Sequence, residues 1–445
     1  MLEHQKWMYY PEDLVTEWKQ AKDEGKDVDH LKAMCETVSK QPRSADFTAP
    51  ADEIAKKIAE APVVEGYPYT EPSALEDIRT ARPVKRYNFT YKMADKTLRD
   101  KLSGAWTGRI AGCLLGKPVE GWRRERIEKL LTGTNNRPLA RYMTANDFTP
   151  ELIKGCAVNI DGCWADKIEG AAPVDDDTNY TVFALKLLET FGRDFRPADV
   201  LEAWLGWLPM LTTFTAERAA YRNAAMGLLP PQTAVYHNPF REWIGAQIRG
   251  DFFGYIHPSN PEAAAGMAWR DASVSHVKNG IYGEMFAAAM IAAAAASDDT
   301  RTVIEAGLGE IPEKSRLREA IEKVIGWYDQ SLPYDEVMDH IHGLFDEADG
   351  HGWCHTIPNA MIVAAALLYG EKDFGKTVCL AVEAAFDTDC NGATAGSVLG
   401  MMLGAGGIPE YWSRPFHNRL LTSIAGYPEV TVEELVEKTV GFVIK

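Results

Sequence analysis

The chain lacks most of what would mark a membrane, secreted or nucleic-acid-binding protein. Its longest apolar run, Met285 to Ala296, holds 12 residues, against roughly 20 for a bilayer span; it predicts a buried helix. Seven cysteines are present (Cys35, Cys113, Cys156, Cys163, Cys354, Cys379 and Cys390). Their odd number, irregular spacing and lack of a C-x-x-C pair exclude a disulfide framework and predict reduced thiols in the cytoplasm. The opening residues, Met1 to Lys6, have no signal-peptide character. Positive charge is in deficit: 47 Lys and Arg face 64 Asp and Glu, a net charge of −17. Such a surface excludes nucleic-acid backbones and anionic membranes as partners. A nucleotide ligand stays possible, because a bound metal inverts the local field. Strand-like alternation is scarce, and no convincing internal repeat is present.

What is abundant is helical periodicity. Leu98, Leu102, Ala105, Ile110 and Leu114 recur at helix spacing. Helices are predicted at 178–191, 281–296, 315–329, 358–369, 377–385 and 392–403. A closing helix over 430–443 is capped by Thr431, with Glu433 and Glu434 in its first turn. The fold class is all-α, a multi-helix bundle over residues 96–445. Residues 1–95 differ: they are charged, with helices predicted near 11–24 and 51–61. An extended run from Tyr67 to Tyr91 carries Pro68, Pro72 and Pro83. They read as an N-terminal appendage of unknown role, laid against the body or partly disordered. Residues 206–275, rich in aromatics and glycine, are expected to be the least regular part.

Two acidic clusters about 210 residues apart carry the chemistry. The first is Asp175-Asp176-Asp177-Thr178-Asn179, entering a helix after Pro173; the second is Asp387-Thr388-Asp389-Cys390-Asn391. One carboxylate at a helix N-terminus is an ordinary cap. Three in a row exceed that need, and gathered like charges are unfavourable unless neutralised. Carboxylate and hydroxyl oxygens suit a hard divalent cation. We therefore expect one metal site built from both clusters. A third segment, Gly108 to Glu120, has glycines at helix spacing and ends on a Gly-Lys-Pro turn before Glu120. Its glycines mean close helix packing; it has no P-loop pattern.

Together these segments resemble the ADP-ribosylglycohydrolase family, which includes the dinitrogen-reductase-activating glycohydrolases. Gly112 to Glu120 is similar to the family's opening Gly- and Glu-containing run. Asp175-Asp176-Asp177-Thr178 is similar to its Thr-Asp-Asp-Thr cluster. Phe386 through Gly396, Gly400, Gly404 and Ile408-Pro409 is similar to its closing Gly-Asp-Thr-Asp-Thr segment. Ser275-His276 and the His355 to Asn359 run match two further family features. The resemblance covers about residues 98–425. It implies an all-α fold around two divalent metals, usually Mg²⁺ or Mn²⁺, of which this chain is expected to hold one or two. The implied ligands are Asp175, Asp176, Asp177, Asp387, Asp389 and Cys390, with Glu120 beside them as a candidate catalytic group. Asp177 is a second candidate for general base. His276 and Asn279 are expected to line the substrate pocket, with Trp353, His355 and Asn359 as weaker candidates.

Three positions depart from the family. Asp175 and Cys390 each stand where it has Thr, and a thiol is a poor ligand for hard ions. The glycine-rich diphosphate loop is only echoed, by Gly245-Ala246-Gln247-Ile248-Arg249, which lacks the glycines that close backbone approach needs. The resulting expectation is a cytoplasmic, metal-dependent glycohydrolase. Its substrate would be a small ribosyl or other furanosyl glycoside, or an ADP-ribosylated compound, cleaved at an N- or O-glycosidic bond. Two alternatives are carried forward. One is a non-catalytic nucleotide- or sugar-binding protein on the same fold. The other is all-α diphosphate chemistry of the terpene-synthase kind. For the latter, Asp298-Asp299-x-x-Thr302-x-x-Glu305 is one residue short of the needed spacing, which turns Glu305 about 100° off the face.

Overall fold

The computed structural model describes residues 5–443. The architecture is all-α. Among the described residues the only strands are Arg419–Leu421 and Glu429–Thr431, an antiparallel pair with Leu420 opposite Val430. No helix there is long and apolar enough to cross a membrane.

The centre of the bundle is an antiparallel pair, the Asp95–Gly116 and Thr388–Leu403 helices. Gly104, Gly108 and Gly112 recur every fourth residue and so share one face. They meet Gly400, Gly396 and Gly392 in reverse order, and Gly116 meets Thr388. A Cβ added at Gly104, Gly108, Gly112 or Gly116 would lie closer than 3.0 Å to backbone of the facing helix. Backbone therefore touches backbone, and only glycine fits. The same contact brings the end of the first helix beside the start of the second, where Thr388 Oγ1 donates to the Gly116 carbonyl at 2.9 Å.

Around this pair lie the Lys278–Ala294 and Thr356–Tyr369 helices, buried on every side, as apolar all-round composition requires. The helix boundaries expected from periodicity are met within a few residues. Thr431 caps the Val432–Phe442 helix in a capping box with Glu434. The 206–275 segment is more regular than its composition suggests. It holds the Thr215–Ala225 and Pro261–Ala272 helices and a buried 3-10 turn, Ile244–Arg249. Glycine and aromatic punctuation hid helices whose buried faces are mostly alanine.

The appendage has two parts. The Leu14–Asp23, Lys32–Ser39 and Thr48–Glu60 helices form their own apolar core around Leu14, Leu31, Cys35, Ile54 and Ile58, separate from the main one. Buried ion pairs dock this unit on the body: Arg241 holds Glu17 at 2.8 Å and Glu24 at 2.7 Å, and Lys278 holds Glu24 at 2.9 Å. The following strap is interrupted by a Leu75–Ala81 helix, whose Ile78 enters the main core. Glu71 of the strap pairs with Arg316 at 2.8 Å.

Gly112→Ala is expected to destabilise the fold by about 3 kcal/mol or more, since the facing backbone cannot move aside. Gly326→Ala, in the Arg316–Asp329 helix with open space at its Cβ position, should instead stabilise by roughly 0.5–1 kcal/mol. Urea unfolding of the two variants checks the contrast.

Candidate metal centre

The second acidic cluster is presented by a strained turn. After the Phe374–Glu383 helix, Ala385 (φ 66°) and Phe386 (φ 56°) are both left-handed, a conformation costly for residues with a side chain. Asn359 holds the turn. Its side-chain oxygen accepts from Asp387 N at 3.1 Å and Asn391 Nδ2 at 2.8 Å. Its amide donates to the Trp353 and His355 carbonyls, both at 2.9 Å. Trp353 Nε1 in turn donates to the Phe386 carbonyl at 2.8 Å.

The first cluster opens the Asp176–Phe191 helix. Asp175 is its N-cap, accepting from Asp177 N at 2.9 Å; its other oxygen accepts from the Lys117 ammonium. Both Asp175 oxygens thus have partners. Burial acts to raise the Asp175 pKa, but Lys117 holds it below the usual carboxylate value. Asp177 pairs through one oxygen with buried Arg109 at 3.2 Å, and Arg109 reaches Asp251 at 2.9 Å. Burial nevertheless leaves the Asp177 pKa well above normal, against the lowering effect of Arg109.

The two clusters converge with Glu120. Ligand atoms of Asp177, Asp389 and Cys390 lie within 4.8 Å of one another, as do those of Glu120, Asp387 and Asp389. Six carboxylates (Glu120, Asp175, Asp176, Asp177, Asp387 and Asp389) gather around two cations, Lys117 and Arg109. Burial raises the pKa of Asp176, Asp387 and Asp389, and neighbouring carboxylates add to it. Glu120, at the cavity rim, has its pKa raised well above normal, chiefly by the Asp389 charge. Asp177 Oδ2 and Asp389 Oδ1 are buried without a hydrogen-bond donor. Orphaned, charge-rich oxygens of this kind fit a hard divalent cation. Cys390 fits less well: a thiol is a soft ligand, and burial pushes its pKa well up.

Above the carboxylates is a cavity of about 320 Å³. Glu120, Asp175, Asp176, Asp387, Asp389 and Cys390 line it, together with Trp7, Phe214, Trp353, Ile244 and Ile248. Gly245 also lines it, packed against the Glu217 carboxylate. Arg249 does not face it; its guanidinium is buried against Glu217 at 2.7 Å and against Asp271. Lys117 is the only cation among the described lining residues.

His276 and Asn279 are not among the lining residues. His276 is buried, bonded to Ser275 Oγ at 2.8 Å and packed against Gly280. Asn279 ties the strap to the body, donating to Glu71 at 2.8 Å and accepting from Leu317 N at 3.0 Å. Both side chains are thus engaged in structural contacts outside the cavity lining. Of the weaker candidates, Trp353 lines the cavity. His355 caps the Thr356–Tyr369 helix through Ile357 N at 3.2 Å, and Asn359 supports the acidic turn. Asp299 caps the Thr300–Leu308 helix, and Glu305 binds Arg301 and Tyr87, so the diphosphate-type second motif is away from the cavity.

Three residues were missed in the sequence. Lys117 stands in plain view in the Gly-Lys-Pro turn. Arg109 is a lone charge in a buried small-residue helix, which signals a buried partner. Trp7 carries no signal. A further group, Asp23, His351 and His355, is close enough for a metal, but its wiring argues against one. Trp243 Nε1, which can only donate, gives its hydrogen to His351 Nδ1 at 3.1 Å. His351 Nε2 then carries the proton it gives to Asp23 at 2.8 Å, leaving no lone pair.

A profile of the family described as ADP-ribosylglycohydrolase matches residues 94–440. Among solved structures, an "ADP-ribosylglycohydrolase-related protein complex" is similar at 20% identity, covering 78% of this chain and 98% of its own, with a TM-score of 0.49. No curated protein matches.

Lys117→Met would strand the buried Asp175 charge. It should cost the EDTA-treated protein about 3 kcal/mol in urea unfolding. A loss under about 1 kcal/mol would mean that Asp175 is already neutral.

Proposed function

The chain belongs to the ADP-ribosylglycohydrolase family, and on that premise we propose that it is a metal-dependent glycohydrolase acting on a ribosyl or other furanosyl glycoside. Family membership supports glycohydrolase activity in general. Metal dependence rests on one observation: Asp177 and Asp389, each with a buried, donorless oxygen, bring carboxylates together from two clusters far apart in sequence.

Asp176, Asp177, Asp387 and Asp389 are our candidate ligands for one or two Mg²⁺ or Mn²⁺ ions. Asp175 belongs with Lys117 as a neutralised cap, and Cys390 as a bystander thiol. A bound divalent ion supplies Lewis acidity for sugar hydroxyls or water in the cavity. Glu120, on the turn after the Asp95–Gly116 helix, is our candidate general acid or base. Its position at the exposed rim lets it exchange protons with solvent while staying among the carboxylates. Arg109 fixes the Asp177 carboxylate, and Asn359 fixes the backbone of Asp387. Residues 96–445 would form the catalytic unit and residues 1–95 an appendage to it.

The substrate is small. Lys117 is engaged by Asp175, and Arg249 is buried away from the cavity, so neither offers a free cation for a diphosphate. The Cys390 thiol favours a second reading, in which the pocket binds a nucleotide or sugar without turnover. Hydrolysis of any ribosyl compound with added Mn²⁺ excludes it.

Asp389→Ala should abolish Mn²⁺ binding by calorimetry and lower activity at least about 100-fold. In EDTA the variant should melt higher than the parent, because a repelling carboxylate is gone. Full Mn²⁺ binding or full activity would sink the site assignment.

A further inference from the structure

We propose that Trp7, delivered to the cavity by the N-terminal unit, is a specificity-determining residue that stacks on a planar, uncharged or cationic aglycone. This rests on the glycohydrolase reading of the cavity and adds to it the class of leaving group.

Trp7 lies outside the segment matched to the family, yet it lines the same cavity as Glu120 and Asp389. Its place there is built. The ring meets Phe214 edge-on, with centroids 5.9 Å apart at 75°. The Arg218 guanidinium lies 5.0 Å from its centroid. The next residue, Met8, accepts through its carbonyl from Arg222 at 3.3 Å. Tyr10 stacks on His237, with centroids 4.0 Å apart at 6°. Trp7 itself has φ 63°, a backbone state that a bulky residue adopts only where its surroundings impose it. The unit behind it is anchored by the Arg241 pairs with Glu17 and Glu24.

Charge selects the ligand further. Six acidic side chains line the cavity (Glu120, Asp175, Asp176, Glu217, Asp387 and Asp389), and Lys117 is spent on Asp175. A bound divalent ion offsets this field, but with Lys117 and Arg249 both engaged no free protein cation is left for a diphosphate, whereas a flat neutral or cationic ring needs none. Indole is the strongest aromatic partner for a flat or cationic ring. Trp7 is half-buried and lines the cavity, with the Lys6 ammonium 6.0 Å from its ring centroid.

The test is calorimetry on the full chain with Mn²⁺, using three probes: nicotinamide riboside, methyl ribofuranoside and ADP-ribose. KM replaces affinity for any probe that is turned over. The parent protein should prefer nicotinamide riboside to methyl ribofuranoside by at least about tenfold, with ADP-ribose weakest. Trp7→Ala should erase that preference without changing methyl ribofuranoside or Mn²⁺ binding, and Trp7→Phe should keep most of it. An unchanged preference in Trp7→Ala, or tightest binding of ADP-ribose, overturns the inference while leaving the glycohydrolase reading intact. Absence of Mn²⁺ binding, or of binding by any probe, overturns both.

Discussion

Everything at the candidate centre depends on two helices whose backbones touch. The glycines of the Asp95–Gly116 helix and of the Thr388–Leu403 helix remove the side chains that would otherwise hold the axes apart. Close approach puts the turn carrying Lys117 and Glu120 beside the turn carrying Asp387 and Asp389. The Asp176–Phe191 helix is then tied to the pair by Arg109, which donates to the Asp177 carbonyl at 2.7 Å and the Ile248 carbonyl at 2.6 Å. One buried guanidinium thus joins the opening helix, the first acidic cluster and the Ile244–Arg249 turn.

The price of this convergence is electrostatic. Carboxylates in a desolvated cluster repel one another and favour their neutral forms. The chain lowers part of that cost with its own cations, and spends them unequally. Lys117 fully engages Asp175, which already serves as a helix cap. Arg109 engages one side of Asp177 and leaves the other bare. Asp389, shared by both ligand groups, has one oxygen with no donor at all. Carboxyl oxygens without a cationic partner are therefore not spread over the site but gathered around Asp389, with Asp177 in one group and Asp387 and Glu120 in the other. A strained left-handed turn and an asparagine using all its hydrogen bonds maintain that arrangement.

Much of this was legible in the sequence, and the limits are instructive. Glycine at four-residue spacing fixed helix contact, because no other arrangement uses that spacing so directly. Three consecutive Asp exceeded the needs of a cap, and one of them proved to be the cap. Periodicity located the long helices. It failed in residues 206–275, where the buried faces are alanine and little contrast exists between inside and outside. His276 and Asn279 were pocket candidates through the family resemblance, which Ser275-His276 carries just ahead of a buried helix. Their helix start faces the strap instead, and a single sequence says nothing about which neighbour covers a helix end. Trp7 was invisible for a related reason: its place is set by ion pairs between Arg241 and two glutamates more than 200 residues away.

The glycine spacing also behaves like a ruler with equal divisions, which can be misread by one division. Sliding one helix along the other by one four-residue division, about 6 Å, would again set glycine against glycine over much of the contact. The repeat alone cannot choose among such alignments. The ends choose. At one end Thr388 breaks the glycine series and binds the Gly116 carbonyl; at the other, Asp100 accepts from Gly406 N at 3.2 Å. Correct alignment during folding is thus decided by a few polar contacts at the two ends of an apolar seam. One of those contacts stands a single residue from Asp389, so alignment and assembly of the acidic centre are the same event.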